Sequence, residues 1–213
     1  TRRSSDLTFV LTLVMPLATM AQTLDFDAKM REYKLVDIQT LEGAEDIVVY
    51  LKYSEADNFV GKDMYRDLEK AYFTEDFAAK VVRAQQILRE RYPEYTLLIY
   101  DAARPISVQR YMRSLVEGTP LQSFVADGSK GGRHNYGVAV DLTIAYLDGT
   151  PLDMGAGFDD FTDAAAVKGT SDTGDAANRN MKVYTAFVNG LVKRGLISEA
   201  AAKNRLMLIQ VMH

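Results

Sequence analysis

The 213-residue sequence contains no cysteine and only two histidines. The first absence excludes thiol nucleophiles, cysteine-based zinc knuckles and disulfides, so stability has to come from packing. It also leaves His, Asp and Glu as the groups that could hold a metal. Massed basic charge is missing as well: the net charge is −4, and the lysines and arginines are scattered. That balance gives no general attraction to nucleic acid or anionic lipid. Beyond the N-terminal segment no repeat, low-complexity tract or Pro/Gly/Ser linker divides the chain, and 47% hydrophobic with 25% charged residues fits one globular domain.

The first segment reads differently. Arg2 and Arg3 precede the apolar run LTFVLTLVMPLATMAQ, which is too short to span a bilayer stably, is broken by Pro16 and ends in Thr19-Met20-Ala21. This pattern predicts a signal peptide over residues 1–21 and a mature domain over 22–213, exported to the periplasm and free of the membrane once the leader is removed. Asp6 is unusual so near the basic end. A buried N-terminal helix is the competing reading, weakened by Pro16 and by both arginines lying at one end.

Residues 46–53 (DIVVYLKY) read as a strand, and 54–65 as a loop with Asn58 and Gly61 as turn residues. Phe77, Val81, Ala84 and Leu88 recur at helical spacing between Thr74, a candidate cap, and Tyr92, with Pro93 closing the helix. A buried strand (YTLLIYDAARP) follows, then a helix over 107–116, then a strand in GVAVDLTIAYLDG that closes at Asp148-Gly149. Met181, Tyr184, Val188 and Leu191 mark one face of a long helix that stops at Gly195, and Ser198 can cap another. Mixed order without regular βαβ alternation predicts an α+β fold, a single domain with a mostly antiparallel sheet flanked by helices.

The chemistry concentrates in GGRHNYGVAVDLT. Zinc and similar metals accept neutral imidazole and carboxylate oxygen, so His134 and Asp141, brought together by a loop and the strand after it, make two-thirds of a catalytic metal site. Gly137 lets the intervening backbone bend. A carboxylate among apolar strand residues is costly unless paired, hydrogen-bonded or metal-bound, and a plain His–Asp or Arg–Asp pair stabilising a turn satisfies that demand equally well.

RHNYGVAVDLTI resembles the metal-binding segment of the zinc D-alanyl-D-alanine dipeptidases, whose signature S-x-H-x-x-G-x-A-x-D is matched by His134, Gly137, Ala139 and Asp141. YLKYSEADNFVGKDMY, YDAARP, DMGAGFDDF and the Asn-Arg pair of NRLMLIQVMH resemble further family segments in the same order. The resemblance implies that His134 and Asp141 are two of three zinc ligands and that Arg104 stabilises the oxyanion formed as water adds to the scissile carbonyl. It further implies that Asp159 receives the substrate's ammonium group and that Tyr53 lines that subsite. Taken alone, a functional Arg104 competes with a surface ion pair, against which its place at a strand end favours function, while Asp159 reads equally as a solvated loop carboxylate and Tyr53 as core.

Two departures accompany the resemblance. The family's serine two places before the histidine is Gly132 here, and the family's closing E-x-W-H, with its general base and third ligand, falls beyond Met212 while the sequence ends at His213. A truncated record is the simpler expectation, with an opened sheet edge, poor solubility and an inactive 213-residue chain, short of its general base and third ligand, as its consequences; substitution by His213 is the lesser one. The implied activity is hydrolysis of D-alanyl-D-alanine or a related small D,D-dipeptide with Zn2+ in cell-wall peptide turnover. The alternatives are a D,D-carboxypeptidase on longer wall peptides, a non-catalytic wall-peptide binding protein, or a bland domain in which His134 and Asp141 merely pair. Oligomeric state is not readable from the sequence.

Overall fold

The structure is a computed structural model that describes residues 25–159 and 175–203. The predicted leader, the Asn-Arg pair and His213 lie outside the described residues. In chain order the elements are helix α1 (Phe26–Glu32), strands β1 (Val36–Asp37), β2 (Val48–Val49) and β3 (Tyr72–Phe73), helix α2 (Glu75–Arg91), strand β4 (Tyr95–Asp101), helix α3 (Ile106–Val116), strand β5 (Asp141–Tyr146), and helices α4 (Asp175–Lys193) and α5 (Glu199–Lys203). The fold is α+β, as the mixed order predicts. Among the described residues no helix is long and apolar enough to cross a membrane.

β4 is the central strand. Its run TLLIYD is buried throughout, because it has β2 on one side, parallel, and β5 on the other, antiparallel. A separate antiparallel pair joins β1 to β3. Helix α2 lies against β4, placing the predicted face of Phe77, Val81, Ala84 and Leu88 in the core, and Gln85 stitches the two together. Its Nε2 donates to Thr96 Oγ1 at 2.9 Å and its Oε1 accepts from the Leu97 amide at 2.9 Å, which satisfies a buried amide completely enough to make it affordable. Acidic residues in the first turn of α2 and arginines in the last complement the helix dipole. Tyr184, Val188 and Leu191 of α4 are buried as their spacing predicts, while Met181 is half-buried. Gly195, at φ 71°, ends the helix, and Ser198 Oγ caps α5 by accepting from the Ala201 amide at 3.1 Å.

Three local expectations change. The strand predicted over 46–53 is regular only at Val48–Val49, because the chain turns into a short 3-10 segment at Lys52–Ser54 that buries Tyr53. The strand predicted from Gly137 begins at Asp141, since Gly137 adopts a left-handed φ of 67° and closes a 3-10 turn over His134–Tyr136. Thr74 occupies the N-cap position of α2 without a side-chain cap bond. Its amide donates instead to the Gly137 carbonyl at 3.0 Å, tying the His134 turn to the start of α2.

One irregularity positions chemistry. The β4–β5 register shifts between Ile99 and Asp101, and the shift brings Asp101, the last residue of β4, opposite Asp141, the first of β5. Bulges of this kind re-aim side chains at strand ends.

Candidate active site

The His134 turn and the loop after β4 are laced by backbone and amide bonds. The Arg104 amide donates to the His134 carbonyl at 3.0 Å, Asn135 Nδ2 donates to the Arg104 carbonyl at 2.9 Å, and the Gly132 amide donates to Asn135 Oδ1 at 2.6 Å. These bonds hold the imidazole against the end of β4. Its Nδ1 lies 2.8 Å from the Ala102 carbonyl, which can only accept, so Nδ1 carries a proton and donates. Nε2 then points at Asp141, 3.4 Å from Oδ1.

Asp141 Oδ1 is buried and, among the described residues, accepts no hydrogen bond. A carboxylate oxygen sealed from water without a donor is destabilising unless a cation neutralises it. Asp101, His134 and Asp141 could together hold a metal, with one candidate ligand atom from each lying within 4.8 Å of the others. Asp101 is already committed, however. Its Oδ1 accepts from the Tyr65 hydroxyl and from the Ala102 amide at 3.0 Å, and its Oδ2 accepts from Arg104 Nη2. The donor set free for a cation is therefore His134 Nε2 with Asp141, an imidazole nitrogen and a carboxylate oxygen, which suits zinc-like metals. Burial pulls the His134 pKa down, but Asp141 and Asp101 outweigh it and leave the pKa raised, the mark of a pocket that favours positive charge.

Arg104 is held from several sides. Besides Asp101 it contacts Gln109 Oε1 through Nη1 at 2.7 Å, the Tyr65 hydroxyl through Nε at 3.4 Å, and the face of Tyr53 with its Cζ 5.0 Å from the ring centroid. Burial alone would lower the guanidinium pKa; Asp101, Tyr65 and Tyr53 reverse this and hold it well above its ordinary value. Tyr65 is fully buried, and burial together with Asp101 pushes its hydroxyl pKa far up, so it remains a donor.

Tyr53 crosses to the other end of the site, where its hydroxyl donates to Asp159 Oδ2 at 2.8 Å. Asp159 is half-buried at a left-handed φ of 54°. Burial raises its pKa to about 7 despite the Tyr53 bond, with the charges of Asp141 and Asp101 adding to the rise. A cavity of about 190 Å³ runs between these groups, lined by Tyr53, Arg104, His134, Asp141 and Asp159, with Met112 and Phe124 forming an apolar wall.

The structure thus brings together all five residues singled out in the sequence, and neither a surface ion pair for Arg104 nor a solvated loop for Asp159 describes what is found. Sequence reasoning passed over Asp101, Tyr65, Gln109 and Asn135, which hold the five in place. Asp101 offered a signal, a carboxylate closing the apolar run TLLIY; the other three offered none.

Residues 31–213 match the peptidase family described as D-ala-D-ala dipeptidase. Over 166 residues the chain is 32% identical to a D-alanyl-D-alanine dipeptidase from Escherichia coli (strain K12), an alignment covering 78% of this chain and 81% of that protein.

Proposed function

The chain belongs to the D-ala-D-ala dipeptidase family, and on that premise we propose that it is a zinc-dependent peptidase that hydrolyses D-alanyl-D-alanine or a closely related D,D-dipeptide. The carrying observation is the buried, undonated Asp141 Oδ1 facing His134 Nε2 in the same cavity as a fixed guanidinium. Zinc bound by these two residues would supply a Lewis acid and bring the pKa of water toward neutrality.

The chain's own groups supply charge and substrate contacts beside it. Arg104, held at fixed charge, faces the cavity as a cation ready for the negative charge that develops when the scissile carbonyl is attacked; such prepared charge is worth most in a water-poor site. At the far end the Tyr53 hydroxyl donates to Asp159, and the oxygens of both keep lone pairs that can accept from an ammonium group. The cavity of about 190 Å³ between Arg104 and Asp159 has room for a small ligand, which fits a dipeptide. The basic and apolar pattern of residues 1–21 supports export, and with it a part in wall-peptide turnover in the periplasm.

The test is hydrolysis by the zinc-loaded chain of D-Ala-D-Ala, L-Ala-L-Ala and a pentapeptide ending in D-Ala-D-Ala. Turnover of the D,D-dipeptide far above the others is expected. Faster turnover of the pentapeptide would favour a carboxypeptidase, and binding without turnover a wall-peptide binding protein.

A further inference from the structure

The geometry points to Gln109 as the positioning residue that orients Arg104 and joins it to the wall of the cavity. Gln109 lies on α3 and is 5% exposed, on the helix face that also buries Val108, Met112 and Val116. A buried primary amide on an apolar face costs stability unless both its ends are engaged, and a leucine or methionine would fill the space without that cost. Both ends are engaged. Oε1 accepts from Arg104 Nη1 at 2.7 Å, and Nε2 donates to the Ala126 carbonyl at 2.9 Å.

The consequence concerns the guanidinium plane. Asp101 accepts from Nη2, and Gln109 accepts from Nη1, so the two ends of the planar fork are held by groups on different elements, the end of β4 and α3. Nε also meets the Tyr65 hydroxyl at 3.4 Å, but among the described residues Gln109 is the acceptor that ties down Nη1, and acceptors on both amino groups fix the plane of the fork more tightly than one. One turn further along α3, Arg113 Nη1 donates to the Val125 carbonyl at 2.6 Å. Val125 and Ala126 line the cavity beside Phe124. Gln109 therefore makes the cation and that wall one unit, fixing the distance between the charge and whatever the wall holds.

This inference rests on the proposed role of Arg104 in hydrolysis, and the experiment separates the two. The zinc-loaded full chain is compared with Gln109→Met, which keeps volume and loses both bonds, and Gln109→Glu, which keeps the acceptor for Arg104. Three quantities are read: kcat and KM on D-Ala-D-Ala, zinc per chain, and the nitrogen NMR signals of Arg104 Nη1 and Nη2, resolved only when rotation of the guanidinium is restricted. In Gln109→Met a loss in kcat on the order of 10- to 100-fold is expected, with KM within about threefold, zinc unchanged and the Nη signals merged. In Gln109→Glu they stay resolved. Resolved signals in the Met variant, or a kcat within twofold of the parent, overturn the inference, as do merged signals in the Glu variant even if the Met variant does not fold. Parent signals that are resolved without any dipeptide hydrolysis would count against the proposed activity of this chain and leave the positioning of Arg104 by Gln109 standing.

Discussion

Asp101 and Asp141 face each other across the β4–β5 pairing, and only Asp101 has its oxygens hydrogen-bonded among the described residues. Two carboxylates in one register thus carry opposite demands: one completes a network, the other faces the His134 imidazole with no donor to Oδ1. Replacing them should have opposite signatures. Asp141→Asn is expected to lower zinc affinity by at least about 100-fold while shifting the melting temperature little, since it removes a buried charge that has no donor. Asp101→Asn should keep one zinc per chain but lose about 3–5 kcal/mol of stability by leaving the Arg104 guanidinium buried and poorly paired. Metal titration and thermal melts of both variants check this.

Arg104→Lys keeps the charge and loses the fork. A lysine ammonium is a point charge and cannot reach Asp101, Gln109 and the cavity together. The expected result is a fall in kcat of about 100-fold or more with KM changed far less, measured by steady-state kinetics on D-Ala-D-Ala at saturating zinc.

How much of this was legible in the sequence follows a physical divide. Residue pattern exposed α2, α3 and α4, because each buries one face, and β4, because burial throughout leaves an unbroken apolar run. It overextended β2 and β5, because those strands end where a glycine φ or a short turn intervenes, and side-chain pattern does not encode backbone angle. At the site, His134 and Asp141 were legible because they stand in one short segment that resembles the metal-binding motif of the family. Tyr65 was not, because it meets Asp101 across 36 positions, a contact only the fold creates.

Asp159 supplies a pH prediction. Its carboxyl is raised from the ordinary value near 3.8 to about 7, chiefly by burial. A raised carboxyl means that the folded chain holds the proton more tightly than the unfolded one. The resulting stabilisation is complete below about pH 3.8, declines as the pH rises toward 7 and is gone above it. An ammonium ligand prefers the ionised form, so kcat/KM should climb by one proton's slope on passing from about pH 6 to 8. Asp159→Asn should remove its part of that climb and raise KM, as a pH series on parent and variant will show.

Two glycines of the site should respond differently to substitution. Gly137 has φ 67°, and an added Cβ would sit 2.9 Å from Leu35 Cδ2 and 3.2 Å from the Thr74 amide nitrogen, so Gly137→Ala is expected to cost about 1–3 kcal/mol and weaken metal binding. Gly132 stands where the resembled family has serine, and a Cβ there would meet only Asn135 Oδ1 at 3.7 Å. Gly132→Ser should leave stability within about 0.5 kcal/mol and lower KM for the dipeptide. Denaturant melts and kinetics of the two variants decide.

The Gly137 carbonyl bond to the Thr74 amide has a consequence for how fast a cation comes and goes. His134 lies in a short turn and Asp141 at the start of β5, so the pair is spread by opening the turn and not by dismantling the sheet. That opening has to release the bond at α2 together with the bonds to Ala102 and Arg104 that hold the turn against β4. Local openings of this kind cost less than global unfolding, and exchange of a bound metal should accordingly outpace unfolding, its rate set by how often those few bonds open together.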